Sequence, residues 1–368
     1  MSLRARLLLM SMLTSAPLVG CKKEEAPAAP PVHRAEPKAT AEAAPEPAAP
    51  VERATPACAA APASGTAESL ELAGRKATRT GTTLSFADAD ADGALVLGVL
   101  GPINEDSGAN RLALRKYNAF FKEQGVDAIV VTGDVGEVAS GIAGALGEVA
   151  AAGKPVFVIA GNRECEADYV EGVKAAQEKH PAIVDLNAVR EVRFPEATLV
   201  SIPGYHDPDF INCESGCRYY PSTVDEAITL AKAAKSPVVL VAHGPPAGKG
   251  SQSLDYAKTG SNVGAEEISR ALREGGIPFG VFSNIKEAGA RATDLAGTTI
   301  IPQGQEVSSL FLNPGPADTT DWGMNDRSVG HGFAATLRIK DGKASWKLFR
   351  AGPITGAERK QAKALEAP

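Results

Sequence analysis

From residue 94 onward, apolar positions alternate between short unbroken runs and longer stretches of helical spacing. The runs at 94–100, 128–131, 155–160, 237–242 and 278–282 are continuous and of strand length, the pattern of strands buried on both faces. Between them, residues 111–124 place Leu112, Leu114, Tyr117, Phe120 and Phe121 on one helical face. Residues 137–152, 166–178 and 264–274 predict further helices, and 333–339 with 344–349 predict a β-hairpin about Asp341-Gly342. Strands alternating with helices predict a layered α/β fold whose functional loops follow the strand C-termini.

Before residue 67 this pattern is missing. Arg4 and Arg6 precede an apolar stretch at 7–13, and Leu18-Val19-Gly20 places small residues before Cys21. This is the layout of a secretory signal, and its end resembles the lipobox of bacterial lipoproteins. The resemblance implies cleavage before Cys21 and acyl chains on that cysteine, which anchor firmly when several are attached. Lys22-Lys23 in place of an Asp favours the outer membrane of a Gram-negative envelope. Residues 21–66 are rich in Ala, Pro and Glu and bury too little apolar surface to offset ordering entropy, so they predict a disordered, extended tether. The expected organisation is a signal at 1–20, the lipidated tether at 21–66, a folded domain at 67–352 and a disordered or loosely helical tail at 353–368.

Composition narrows the function. Lys plus Arg number 38 against 44 Asp plus Glu, a formal charge of −6, without the basic footprint of a nucleic-acid binder. No apolar run approaches the roughly 20 residues of a membrane-spanning helix, so the membrane is expected to be met only through the lipid. Beyond Cys21, the cysteines are Cys58, Cys165, Cys213 and Cys217, an even number that suits an oxidising compartment. Cys213-Glu-Ser-Gly-Cys217 has a loop composition that predicts a small disulfide rather than a metal site, since His206 is the only other ligand at hand. A Cys58–Cys165 pair is left open. No G-x-S-x-G elbow is present for a serine hydrolase.

The strand ends carry the chemistry. The run at 128–131 ends in Thr132-Gly133-Asp134-Val135-Gly136-Glu137, and that at 155–160 ends in Gly161-Asn162-Arg163-Glu164. The later ones end in His243-Gly244-Pro245-Pro246 and in Ser283-Asn284-Ile285-Lys286. Asn313-Pro314-Gly315 closes another strand. One Asp after a strand is often a helix cap; five such signals in order are more than that. Over residues 94–350 they resemble the calcineurin-like metallophosphoesterases, with markers D-x-H, G-D-x-x-D/E, G-N-H-D/E, a lone His, G-H-x-H and N-P-G. The resemblance implies a four-layer α/β/β/α fold, two packed β-sheets flanked by helices. It also implies a phosphate-ester hydrolase with two metal ions bridged by Asp134, which stabilise attacking and leaving oxygens.

The same resemblance exposes the departures. Pro102-Ile103-Asn104 stands where D-x-H is expected, and proline has no side-chain donor atom. Arg163 replaces the histidine that assists the leaving group, and Asn284 and Lys286 replace the last two ligands. Asp134, Asn162 and His243 survive. The expected reading is a non-catalytic pseudo-phosphoesterase without cofactor, a binding or structural module of the envelope whose partner is an envelope protein or a phosphate-like anion. Arg163 and Lys286 would then balance the charge of Asp134, or join Asn162 and His243 in an anion pocket. The alternative is a weak one-metal phosphoesterase holding Mn or Mg through Asp134, Asn162 and His243, with Asn284 as a further oxygen ligand.

Overall fold

The computed structural model describes residues 58–88 and 92–366. The signal, Cys21, His33 and the tether up to residue 57 lie outside them. Three antiparallel strands come first, β1 (Ala67–Leu72), β2 (Arg75–Thr80) and β3 (Thr83–Phe86), followed by β4 (Ala94–Leu100) and α1 (Gly108–Glu123). Next are β5 (Ala128–Val131), α2 (Ala139–Ala150), β6 (Val156–Val158), α3 (Glu166–Lys179) and β7 (Ile183–Asp185). The second half holds β8 (Glu191–Arg193), β9 (Thr198–Ile202), α4 (Pro221–Ala233), β10 (Val238–Ala242), α5 (Glu266–Glu274), β11 (Phe279–Val281), β12 (Arg291–Thr293) and β13 (Leu310–Asn313). The short pair β14 (Trp322–Gly323) and β15 (Val329–Gly330) precedes the hairpin β16 (Phe333–Lys340) and β17 (Lys343–Arg350), and α6 (Gly356–Glu366) ends the chain.

Beside the two-stranded β14-β15 pair, two large sheets form, one of six strands in the order β17-β16-β4-β5-β6-β7 and one of nine in the order β1-β2-β3-β8-β9-β10-β11-β13-β12. Both have parallel centres, so their strands are buried on both faces and show no polar alternation. In β5, Val130 joins the core between the sheets while Ile129 and Val131 pack beneath α1, α2 and α3. In β10, Val239 and Val241 face the inter-sheet core, and Leu240 faces α4 and α5. The layers run helix, sheet, sheet, helix, the order the resemblance implies. Gly98 lets α1 lie close, because a Cβ there would come within 3.0 Å of the Phe121 ring. Ser107 caps that helix through Asn110 N–H.

Three expectations change. The folded region begins by Cys58 rather than at residue 67. A Pro/Ala segment offers few apolar side chains, but its backbone is held: Ala60 N–H donates to Asn187 O, Thr82 N–H to Ala63 O, and Arg190 Nη1 to Ala60 O. The disulfides are Cys58–Cys217 and Cys165–Cys213, so Cys213 and Cys217 do not pair with each other. Gly216 bridges to Cys165, which directs Cys213 to that residue, while buried Cys217 turns toward Cys58 and Asn187. Finally, the tail forms α6 and docks on α1, with Lys116 and Glu358 paired at 2.6 Å, Arg111 Nη1 donating to Leu365 O, and Ala362 buried.

Candidate functional site

The loops at the C-terminal ends of β4, β5, β6, β10 and β11 converge on Asp134. Gly133 and Asp134 both take left-handed backbone, with φ of 93° and 56°. A Cβ on Gly133 would meet Gly161 N at 2.6 Å, and one on Gly161 would meet Asp134 Oδ1 at 2.4 Å. The two glycines therefore set how closely the β5 and β6 loops approach. Asp134 O accepts from Ile103 N–H and Asn104 N–H, which ties the β4 loop to the same point.

Asp134 is 1% exposed, and its Oδ1 accepts the backbone N–H groups of Asn162 and Arg163, each at 3.2 Å. His243 Nε2 lies 3.3 Å from Asp134 Oδ1 and 3.1 Å from Asn162 Oδ1. The amide of Asn162 is oriented by Nδ2 donating to Phe210 O at 2.6 Å. Thr132 O can only accept, so His243 Nδ1, 2.7 Å away, carries a hydrogen. Nε2 then faces two oxygens, and either a second hydrogen or a cation satisfies all three atoms. Asp134, Asn162 and His243 thus meet around one ring nitrogen. Asn284, the further candidate, bonds the Tyr205 hydroxyl through its side chain.

The other half of the site is filled differently. Lys286 Nζ stands 3.9 Å from Asp134 Oδ2 and 3.3 Å from Asn104 Oδ1, and 4.8 Å from the centre of the Trp322 ring. Burial pulls the Lys286 ammonium below its ordinary pKa, against the pull of Asp134 in the other direction. Asn104 Nδ2 donates to Asp318, whose carboxylate also accepts from Thr320 N–H and Trp322 Nε1. Pro102 contributes only its carbonyl, which accepts from Ala317 N–H and Asp318 N–H. Metal ligation does not fit this half, where the Lys286 ammonium, the Asn104 amide and the side chain of Pro102 offer no anionic donor.

Arg163 does not reach Asp134 with its charge. Its guanidinium pairs with Glu137 on the surface side, and only its backbone N–H touches the aspartate. An anion pocket of Arg163, Lys286, Asn162 and His243 is thus not assembled. One cation is paired outward, one is paired inward, and His243 is fully buried. Glu164 accepts N–H bonds on both oxygens, from Val135 at 2.6 Å and Gly161 at 2.9 Å. Complete burial, with the Asp134 charge adding to it, still pushes its pKa up to about 8. A cavity of about 440 Å³ opens beside the site, with Asn104, Glu137, Arg163, Asp318 and Trp322 in its wall.

Sequence reasoning missed Asp318, Trp322 and Tyr205. Asp318 lies three residues beyond the Gly of Asn313-Pro314-Gly315, and Tyr205 follows the end of β9; each obeys the strand-end rule without matching a motif. Among the described residues, no three His, Cys, Asp or Glu side chains cluster to hold a metal.

No family model matches the chain, and no curated protein matches it. Among solved structures it is similar to a protein of Thermus thermophilus, at 13% identity and a TM-score of 0.48 over 70% of this chain and 99% of that one. It is also similar to a dimetal phosphatase from Danio rerio, at 12% identity and a TM-score of 0.43 over 70% of this chain and 99% of that one. The GAP50 anchor of the inner membrane complex of Plasmodium is a third, at 12% identity and a TM-score of 0.42 over 75% and 95%.

Proposed function

We propose that this chain is a cell-envelope lipoprotein whose phosphoesterase-fold domain has lost two-metal chemistry and serves as a binding or structural module. The observation that carries this reading is the Lys286 ammonium beside Asp134 Oδ2 and Asn104 Oδ1. A buried carboxylate needs a compensating charge, and here a side chain of the same chain supplies it. In the proposal, acyl chains on Cys21 hold the domain at the outer membrane. Its partner is an envelope protein rather than a phosphate-like anion, because Arg163 and Lys286 are both already paired.

Elemental analysis of the chain lacking its first twenty residues, after incubation with Mn, Mg, Fe and Zn, tests the reading. It requires no stoichiometric metal, and two bound equivalents would overturn it. A second reading, a one-metal phosphoesterase, draws on the spacing of Asp134 Oδ1, Asn162 Oδ1 and His243 Nε2, which suits a hard divalent ion. It requires one equivalent of Mn or Mg and metal-dependent phosphatase turnover abolished by Asp134→Asn and by His243→Ala.

A further inference from the structure

Residues 206–216 form a strap across the loop that carries Asn162. Phe210 O accepts from Asn162 Nδ2, and Asn212 N–H donates to Asn162 O at 2.8 Å. Glu166 N–H donates to Ser215 O, and Gly216 bridges to Cys165. No apolar side chain of the strap is part of the core, and Phe210 at its tip is 60% exposed. The strap therefore lacks the apolar burial that secures most of the domain. Besides those hydrogen bonds, the Cys165–Cys213 disulfide ties its far end, and at its start Arg218 Nε donates to His206 O while the His206 ring packs on Tyr205. Close beneath it, Asn162 Oδ1 meets His243, which has no exposed surface.

We propose that the Cys165–Cys213 disulfide is a thiol-sensitive gate. Its reduction lets the strap leave Asn162 and opens the pocket of Asp134, Asn162 and His243 to solvent. The reductant is a dithiol. One of its thiolates attacks a cystine sulfur, forming a mixed disulfide and releasing the other cysteine as thiolate, which takes up a proton. The second thiol then closes the reductant's own disulfide and frees the remaining cysteine, so two electrons and two protons pass to the cystine. Cys165 and Cys213 are both half-buried, so either sulfur can be attacked, whereas in the Cys58–Cys217 bond only Cys58 is half-buried and Cys217 is 1% exposed. This inference goes beyond the proposed loss of two-metal chemistry and does not depend on it.

The test is carbethoxylation of histidines by diethylpyrocarbonate, read by mass spectrometry on the chain lacking its first twenty residues. Three samples are compared: oxidised protein, protein titrated with dithiothreitol, and Cys165→Ser/Cys213→Ser, with His180 and His331, which lie outside the strap, as internal references. The expected result is an unreactive His243 in the oxidised protein and a rate about tenfold or more higher in the other two, with far-UV circular dichroism unchanged. Cys58→Ser/Cys217→Ser keeps His243 protected. The gate is overturned if His243 stays unreactive after reduction, if the control variant exposes it equally, or if exposure comes only with loss of the far-UV signal. Should the double serine variant not fold, the dithiothreitol titration alone decides, by the same criteria.

Discussion

Lys286 and Asp134 form a buried pair, Nζ to Oδ2 at 3.9 Å, between the loops that follow β11 and β5. Their side chains are 11% and 2% exposed, so water does little to screen either charge. Removing one partner leaves the other charged and desolvated, whereas removing both leaves a neutral site. Lys286→Met is expected to cost about 3 kcal/mol of unfolding free energy. Lys286→Met/Asp134→Asn should recover most of that loss, as measured by urea titration with disulfides intact. Additive losses would show that the ammonium does not compensate Asp134.

Glu164 gives the pH dependence a definite sign. Its carboxyl ionises near 4.5 in an ordinary setting and near 8 in the folded chain. Between these values the native state retains a proton that the unfolded chain has released. The contribution is full below about pH 4.5 and is lost as pH rises through 8. Relative to Glu164→Gln, the parent protein should lose stability steadily across that window in urea titrations taken from pH 4 to 9. Parallel curves would show that the two backbone N–H bonds on Glu164 outweigh its burial.

Residues 58–66 are part of the fold. A chain beginning at Ala67 loses the Cys58–Cys217 bond, which links positions 159 residues apart. It also uncovers Arg190, whose guanidinium is 0% exposed and donates to Ala60 O and Glu226. Compared with a chain beginning at residue 53, it should be less stable by about 4 kcal/mol. Equal stability would place the domain boundary after Thr66.

Gly108 tests whether the tail belongs to the domain. A Cβ there would fall 2.0 Å from Ala362 O, so Gly108→Ala must push α6 away from α1 while leaving the core between the sheets intact. Hydrogen exchange should show α6 amides unprotected and the β5 and β10 amides unchanged. Retained protection in α6 would mean that α1 shifts instead.

Local pattern was enough to place much of the fold. The runs that became β4, β5, β10 and β11, and the apolar face of α1, are visible because burial on two sides or on one stripe leaves a periodicity in the chain itself. The strands from Ala67 to Phe86 escaped notice because they lie partly exposed and mix polar with apolar residues. The strand-end motifs singled out Asp134, Asn162 and His243, and in the structure Asn162 Oδ1 and Asp134 Oδ1 lie 3.1 and 3.3 Å from His243 Nε2.

Which residue each of these finds as a partner was decided by tertiary structure. Arg163 and Lys286 are both cations beside the same aspartate in the motif reading, yet one pairs with Glu137 and the other reaches Asp134. The four cysteines admitted several pairings, and the bridge between Gly216 and Cys165 chose among them. Asp318 and Trp322 enter the site only because Ala317 and Asp318 bond the carbonyl of Pro102, more than two hundred residues earlier. Sequence periodicity records how much of a side chain is hidden from water; distance and orientation between remote residues arise only when the sheets pack.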